Sequence, residues 1–167
     1  WTGTACTSNT GVGSSVMEGA MNGATNNTAV GLNGLGALTT GDNNSALGRS
    51  ALLGVTTGVQ NTAVGSFAGD LIESGSNNTC IGRSADVSTS SVSNETVIGA
   101  NAVGAGTNSV VLGDSNVTAV LCASDGEAQV YASAIRFPAT QVANSNANAL
   151  DDYEEGTWTV GLNGNSS

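Results

Sequence analysis

The chain has no histidine and no lysine, and its only cations are Arg49, Arg83 and Arg136 among 167 residues. Without histidine there is no imidazole to serve as general base, triad member or metal ligand. Thirteen acidic residues leave a net charge of −10. A nucleic-acid surface needs cationic side chains to neutralise phosphates, so no nucleic-acid partner is expected. Charged residues make up only 10% of the chain and aromatics 4%. Leu, Gln and Glu are sparse while Gly and Asn abound, which argues against a long amphipathic helix. No run approaches the ~18 apolar residues of a membrane helix, so no membrane insertion is expected. Cys6, Cys80 and Cys122 are widely and irregularly spaced. They match neither a zinc pattern nor a disulfide framework and read as buried free thiols. The chain opens at Trp1 with no initiator Met and no signal-like segment, and it reads as part of a longer polypeptide.

What is present is small and polar. Gly, Ser, Asn and Thr account for about half of the chain, and Ala and Val supply most of its hydrophobic residues. Leu, Ile, Val and Phe together make up only about a fifth, which alone would border on a disordered composition. Internal order shows otherwise. A short motif recurs as Asn9–Gly13, Asn27–Gly31, Asn44–Gly48, Asn61–Gly65, Asn78–Gly82 and Glu95–Gly99, and more loosely as Ser109–Gly113. The closing glycines are Gly13, Gly31, Gly48, Gly65, Gly82, Gly99 and Gly113. Their spacing is seventeen four times running, after a first interval one longer and before a last interval three shorter. Three residues after each of the first six comes a small or apolar residue (Val16, Gly34, Ala51, Ala68, Ala85, Ala102), and seven after comes another (Ala20, Leu38, Val55, Ile72) until Thr89 departs. A polar turn follows, as at 39–43, 56–60 and 73–77. Gly and Asn suit such corners because they tolerate positive φ.

Each unit therefore reads as a short strand, a glycine corner, a small-residue segment and a turn. A unit this short buries nothing alone, so the units must stack. The expected fold is all-β: a β-solenoid of ~17-residue coils over residues 9–121. It would be preceded by a fragment at 1–8 and followed by a β-strand segment and linker at 122–148. Residues 149–167 would start a C-terminal β-domain. Two neighbouring columns of each strand are apolar, one small (Gly11, Ala29, Ala46, Ala63, Cys80, Val97, Val111) and one larger. Val12, Val30, Leu47, Val64, Ile81, Ile98 and Leu112, the larger set, are expected to be the structural repeat core. Since strand neighbours face opposite ways, one column should fill the coil and the other meet a neighbouring chain. So thin a core predicts oligomerisation, with three chains around one axis as the simplest closed shaft.

The segment 99–113 (GANAVGAGTNSVVLG) resembles the fourteen-residue head repeat of trimeric autotransporter adhesins, and the seventeen-residue units resemble repeats of bacteriophage tail fibres. Residues 134–142 (AIRFPATQV) and 149–159 (ALDDYEEGTWT) resemble a junction of phage tail-fibre proteins that precedes a β-rich domain. The chain departs from that pattern at Val160, where Pro is usual. The resemblance spans nearly the whole chain and implies a homotrimeric virion fibre. Its partners would be other tail or baseplate proteins and, through regions outside this chain, a host receptor. A trimeric bacterial surface adhesin or extracellular filament is the alternative.

No catalytic, cofactor or metal site is expected. Asp151, Asp152, Glu154 and Glu155 are the one acidic cluster; they lack the alternating ligand spacing of a calcium loop and read as a solvated turn. Asp70, Glu73 and Asp86 are too isolated in sequence to suggest a glycosidase pair. Cys80 stands where three other units carry Ala, so it reads as core, with only Arg83 nearby as a cation. Arg49 and Arg83 each follow a corner glycine and should share one face, exposed or paired with an acid such as Asp70, Glu73 or Asp86. Asn27, Asn44, Asn61 and Asn78 could form an amide ladder along the stack. The pairs Thr39-Thr40 and Thr56-Thr57 are too few for a regular ice-binding lattice.

Overall fold

The computed structural model describes residues 5–118 and 120; the readings placed on 1–4 and on 122–167, including the acidic cluster and the junction motif, lie outside them. The described residues form seven three-residue strands: β1 (Thr10–Val12), β2 (Thr28–Val30), β3 (Ser45–Leu47), β4 (Thr62–Val64), β5 (Thr79–Ile81), β6 (Thr96–Ile98) and β7 (Val110–Leu112). They pair in sequence order, all parallel, into one sheet. Register follows the repeat: Ala29 lies over Ala46, Ala46 over Ala63 and Ala63 over Cys80. This is a β-solenoid with one coil per repeat. At the usual strand spacing its seven rungs span roughly 30 Å.

The strands are short because each closes on a glycine that no other residue can replace. Gly31, Gly48 and Gly65 have φ of 135°, 139° and 136°, and a Cβ on any of them would strike the carbonyl of the corner glycine one rung on. Backbones can stack this closely only where the side chain is hydrogen. A second corner, four residues before the last residue of β2 to β6, holds Asn26, Asn43, Gln60, Asn77 and Asn94 at φ of 58–61°, a conformation Asn tolerates well.

Strand alternation and volume decide what lies inside. In β2, β3 and β4 the middle residue is buried and its two neighbours are exposed. The interior column is thus Ala29, Ala46, Ala63, Cys80 and Val97. The reading of Val12, Val30, Leu47, Val64, Ile81, Ile98 and Leu112 as the core is corrected: all seven point outward, from 37% exposed at Val30 to 59% at Val12. The reason is thickness. A Cβ on Gly34 would lie 3.2 Å from Ala29 Cβ, so the strand's inner column faces the column three residues past the corner with almost no space between. The pairs are complementary in size, since a Cβ on Gly11 would press on Val16, whereas Ala46 pairs with Ala51 and Ala63 with Ala68. A Leu or Ile on both sides would not fit.

The larger buried side chains sit farther round the coil. Leu38, Val55 and Ile72, seven residues past the corner, are fully buried. In the longer first unit Ala20 is exposed and Met21 takes the place. Met17, Leu35 and Leu52, four past the corner, are buried as well, at φ of 49–51°. Left-handed backbone is costly for such residues, and here it turns a large side chain into the core.

Candidate functional site

Three features of the coil bear on what it does: an internal asparagine ladder, a pair of aspartates and an apolar outer face.

Asn27, Asn44, Asn61 and Asn78 are fully buried. Each side-chain oxygen accepts from the backbone N–H of the next ladder residue, and from its Nδ2 where that residue is asparagine; for Asn44 Oδ1 and Asn61 these bonds are 3.0 and 3.1 Å. Each Nδ2 also donates 2.9 Å to a turn carbonyl of the following coil: Gly41 for Asn27, Gly58 for Asn44, Gly75 for Asn61 and Val92 for Asn78. The ladder starts at Asn9, whose Oδ1 accepts from Asn27 N at 2.8 Å. It ends at Glu95, which donates its N–H to Asn78 Oδ1 at 3.0 Å. Every buried side-chain polar atom among the described residues has a partner. The ladder thus adds directional order to a core whose apolar contacts are thin. The Thr pairs serve the same stacking: the N–H groups of Thr39, Thr40 and Gly41 converge on the carbonyl of Thr56, at 3.0, 3.1 and 3.3 Å.

Two acidic residues of consecutive coils, Asp70 and Asp86, meet. Asp86 accepts from Leu71 N at 3.2 Å and Val87 N at 2.9 Å. Burial and a hydrogen bond shared with Asp70 push its pKa up to about 7. The Cys80 thiol is pushed up to about 12, by burial first and then by the charges of Asp86, Glu95 and Asp70, so it is a protonated core group rather than a nucleophile. Among the described residues no three acidic or cysteine side chains come close enough to hold a metal ion. Arg49 and Arg83 are exposed. The Arg49 guanidinium lies 4.8 Å from the centre of the Phe67 ring on the next rung, a cation–π contact that the spacing of arginines alone did not show.

The outer face of the sheet carries two columns. Thr10, Thr28, Ser45 and Thr62 form one, and the seven outward-pointing apolar residues from Val12 to Leu112 form the other. Between them Thr28, Val30, Ser45, Leu47, Thr62 and Val64 line a shallow open groove of about 200 Å³. Scattered apolar residues are normal on a surface, but an unbroken column of seven is a contiguous patch of the kind that marks an association surface. No family model, curated protein or solved structure matches this chain.

Proposed function

We infer that the chain is a segment of a homotrimeric fibre shaft. In this reading three solenoids pack their outer strand faces together, and the shaft serves as a stiff spacer carrying a host-recognition tip. A bacteriophage tail fibre in the virion is the assembly that the sequence resemblance favours. The observation that supports this most is the column Val12 to Leu112, 37–59% exposed along every rung. A single chain gains nothing from keeping its largest strand residues in water, whereas chains sharing an axis would bury them at about 25 cal/mol per Å². The role is mechanical rather than catalytic. The coil interior is filled with side chains and hydrogen-bonded throughout, and low cation content disfavours adhesion to anionic surfaces before specific contact.

Native mass spectrometry tests association directly. The full chain is expected as a trimer, and the double variant Val64→Asp/Ile81→Asp as a monomer that keeps its solenoid circular dichroism. A folded wild-type monomer at micromolar concentration would sink the reading. Imaging of the complete assembly then separates a tail fibre, attached to a particle, from an adhesin, attached to a cell envelope.

A further inference from the structure

Glu95 is a fully buried carboxylate that the spacer role does not require. It occupies the ladder position held by asparagine in the preceding rungs, and its surroundings are inverted relative to theirs. Each asparagine donates to a turn carbonyl of the coil that follows. Glu95 instead accepts hydrogen bonds: Oε1 takes the backbone N–H of Gly106 at 2.6 Å and the Ser109 hydroxyl at 3.2 Å, and Oε2 takes the N–H and hydroxyl of Ser88 at 2.9 and 3.2 Å. Room for the carboxylate exists because residue 104 is glycine; a Cβ there would collide with it.

The inversion coincides with a change of coil length. Coils that follow a buried ladder asparagine reach the next ladder position after seventeen residues, while the coil from Glu95 to Ser109 takes fourteen. Three residues fewer remove the turn that presents a carbonyl to asparagine, and the shortened path brings the N–H of Gly106 to that place. An amide would set an NH₂ group against one of these N–H donors. A carboxylate, which only accepts, satisfies both. The titratable group that feels it is the Cys80 thiol on the adjoining strand, which Asp86 and Asp70 also act on. None of these is cationic, so four neutral donors hold the charge.

We propose that Glu95 is an acid-sensitive latch that fastens the shortened coil and the strand β7 that ends it, residues 96–113, to the seventeen-residue stack, and that protonating it releases this segment while the rungs below persist. Burial by itself would raise the Glu95 pKa, but the hydrogen bonds from Ser88, Gly106 and Ser109 outweigh it and hold the group below its ordinary 4.5. The latch is therefore shut at neutral pH and opens only as pH falls through that lower value. Protonation turns one carboxylate oxygen into a hydroxyl, a poorer acceptor for the backbone N–H that faces it, and removes the charge that strengthens all four bonds. The proposal does not depend on the fibre reading.

Hydrogen exchange on the full chain in its native assembly tests it. At pH 7, Glu95→Gln is expected to speed exchange of the amides of Thr96, Gly99 and Gly104 by at least about ten-fold, the loss of one charge-assisted bond. Amides between Thr28 and Gly82 should stay within about two-fold of wild type, as expected of a stack whose units contact only their neighbours. Unchanged exchange at residues 96–104, or acceleration spread evenly along the stack, would overturn it. Ser109→Ala keeps the carboxylate and guards against a misfolded E95Q. Losing one donor should raise the pH at which 96–113 opens, after correction for intrinsic exchange rates. An opening pH identical to wild type would overturn the latch.

Discussion

At the scale of the residue, the coil is decided by places where only one side chain works. The corner glycines are such places on steric grounds, and the ladder asparagines on chemical ones. Asn61 accepts from Asn78 N at 3.0 Å and from its Nδ2 at 3.1 Å, and donates to Gly75 O and Asn44 Oδ1 at 2.9 and 3.1 Å. Asn61→Ala would leave Gly75 O and Asn78 N–H without a partner and take one bond each from Asn44 Oδ1 and Asn78 Nδ2. It is expected to cost about 3–5 kcal/mol in denaturant unfolding, against less than about 0.5 for Thr62→Ala next to it on the exposed side. Asn61→Asp keeps the acceptor but has no donor for Gly75, so it should fall nearer the alanine variant than wild type. Equal midpoints for N61A and T62A would remove the ladder from the account of stability.

At the scale of the element, the period was legible because every unit closes on glycine and most carry asparagine at the second corner, and those residues stand out in any sequence. Which face of the strand is inside was not. Ala29 and Val30 are both apolar, and hydrophobicity ranks Val30 as the core residue. The deciding fact is the distance to the opposite wall, visible only where Gly34 approaches the strand. The column Met17, Leu35, Leu52 was also missed, although an apolar residue four past the corner in three successive units was the signal for it. The ladder's end could be read as a glutamate in asparagine's place, but not its four donors. The Asp70–Asp86 contact joins residues on consecutive rungs and has a consequence for pH. Because the folded state holds the Asp86 proton up to about pH 7 against 3.8 when free, its stabilisation is full below 3.8 and is lost as pH rises through 7. At about 1.4 kcal/mol per pKa unit, reduced by solvent near this pair, the loss between pH 4 and 8 should come to roughly 2 kcal/mol. Glu95 works in the opposite sense, its stabilisation holding above 4.5 and fading in acid. Urea midpoints should therefore be highest near pH 4–5, and Asp86→Asn should flatten the decline above it; an unaltered slope in D86N would assign the decline to other groups.

At the scale of the whole molecule, the stack behaves as a one-dimensional crystal of nearly equivalent coils. Rungs β2 to β5 pair identically, Thr28 over Ser45, Ser45 over Thr62 and Thr62 over Thr79. Contacts run only between neighbouring coils, so the stability of the stack is close to a sum of unit and interface contributions. Removing one complete unit, residues 45–61, joins Asn44 directly to Thr62. The deletion preserves both corner columns, the ladder and the apolar outer column, each one rung shorter. The shortened chain is expected to fold with wild-type circular dichroism per residue, to lose about 4.8 Å of length and to unfold at a lower midpoint by one coil's contribution. Removing residues 45–60 instead leaves Asn44 followed by Asn61, so one coil gains a residue and its turn falls out of step with Asn27 and Asn78. That sixteen-residue deletion should lose the ladder at the join and unfold with a broadened transition, although it removes less of the chain. The comparison separates a fold specified by rung register from one specified by bulk composition, since the two deletions differ by a single asparagine. Equal stability of the two would show that register at the ladder does not govern the stack.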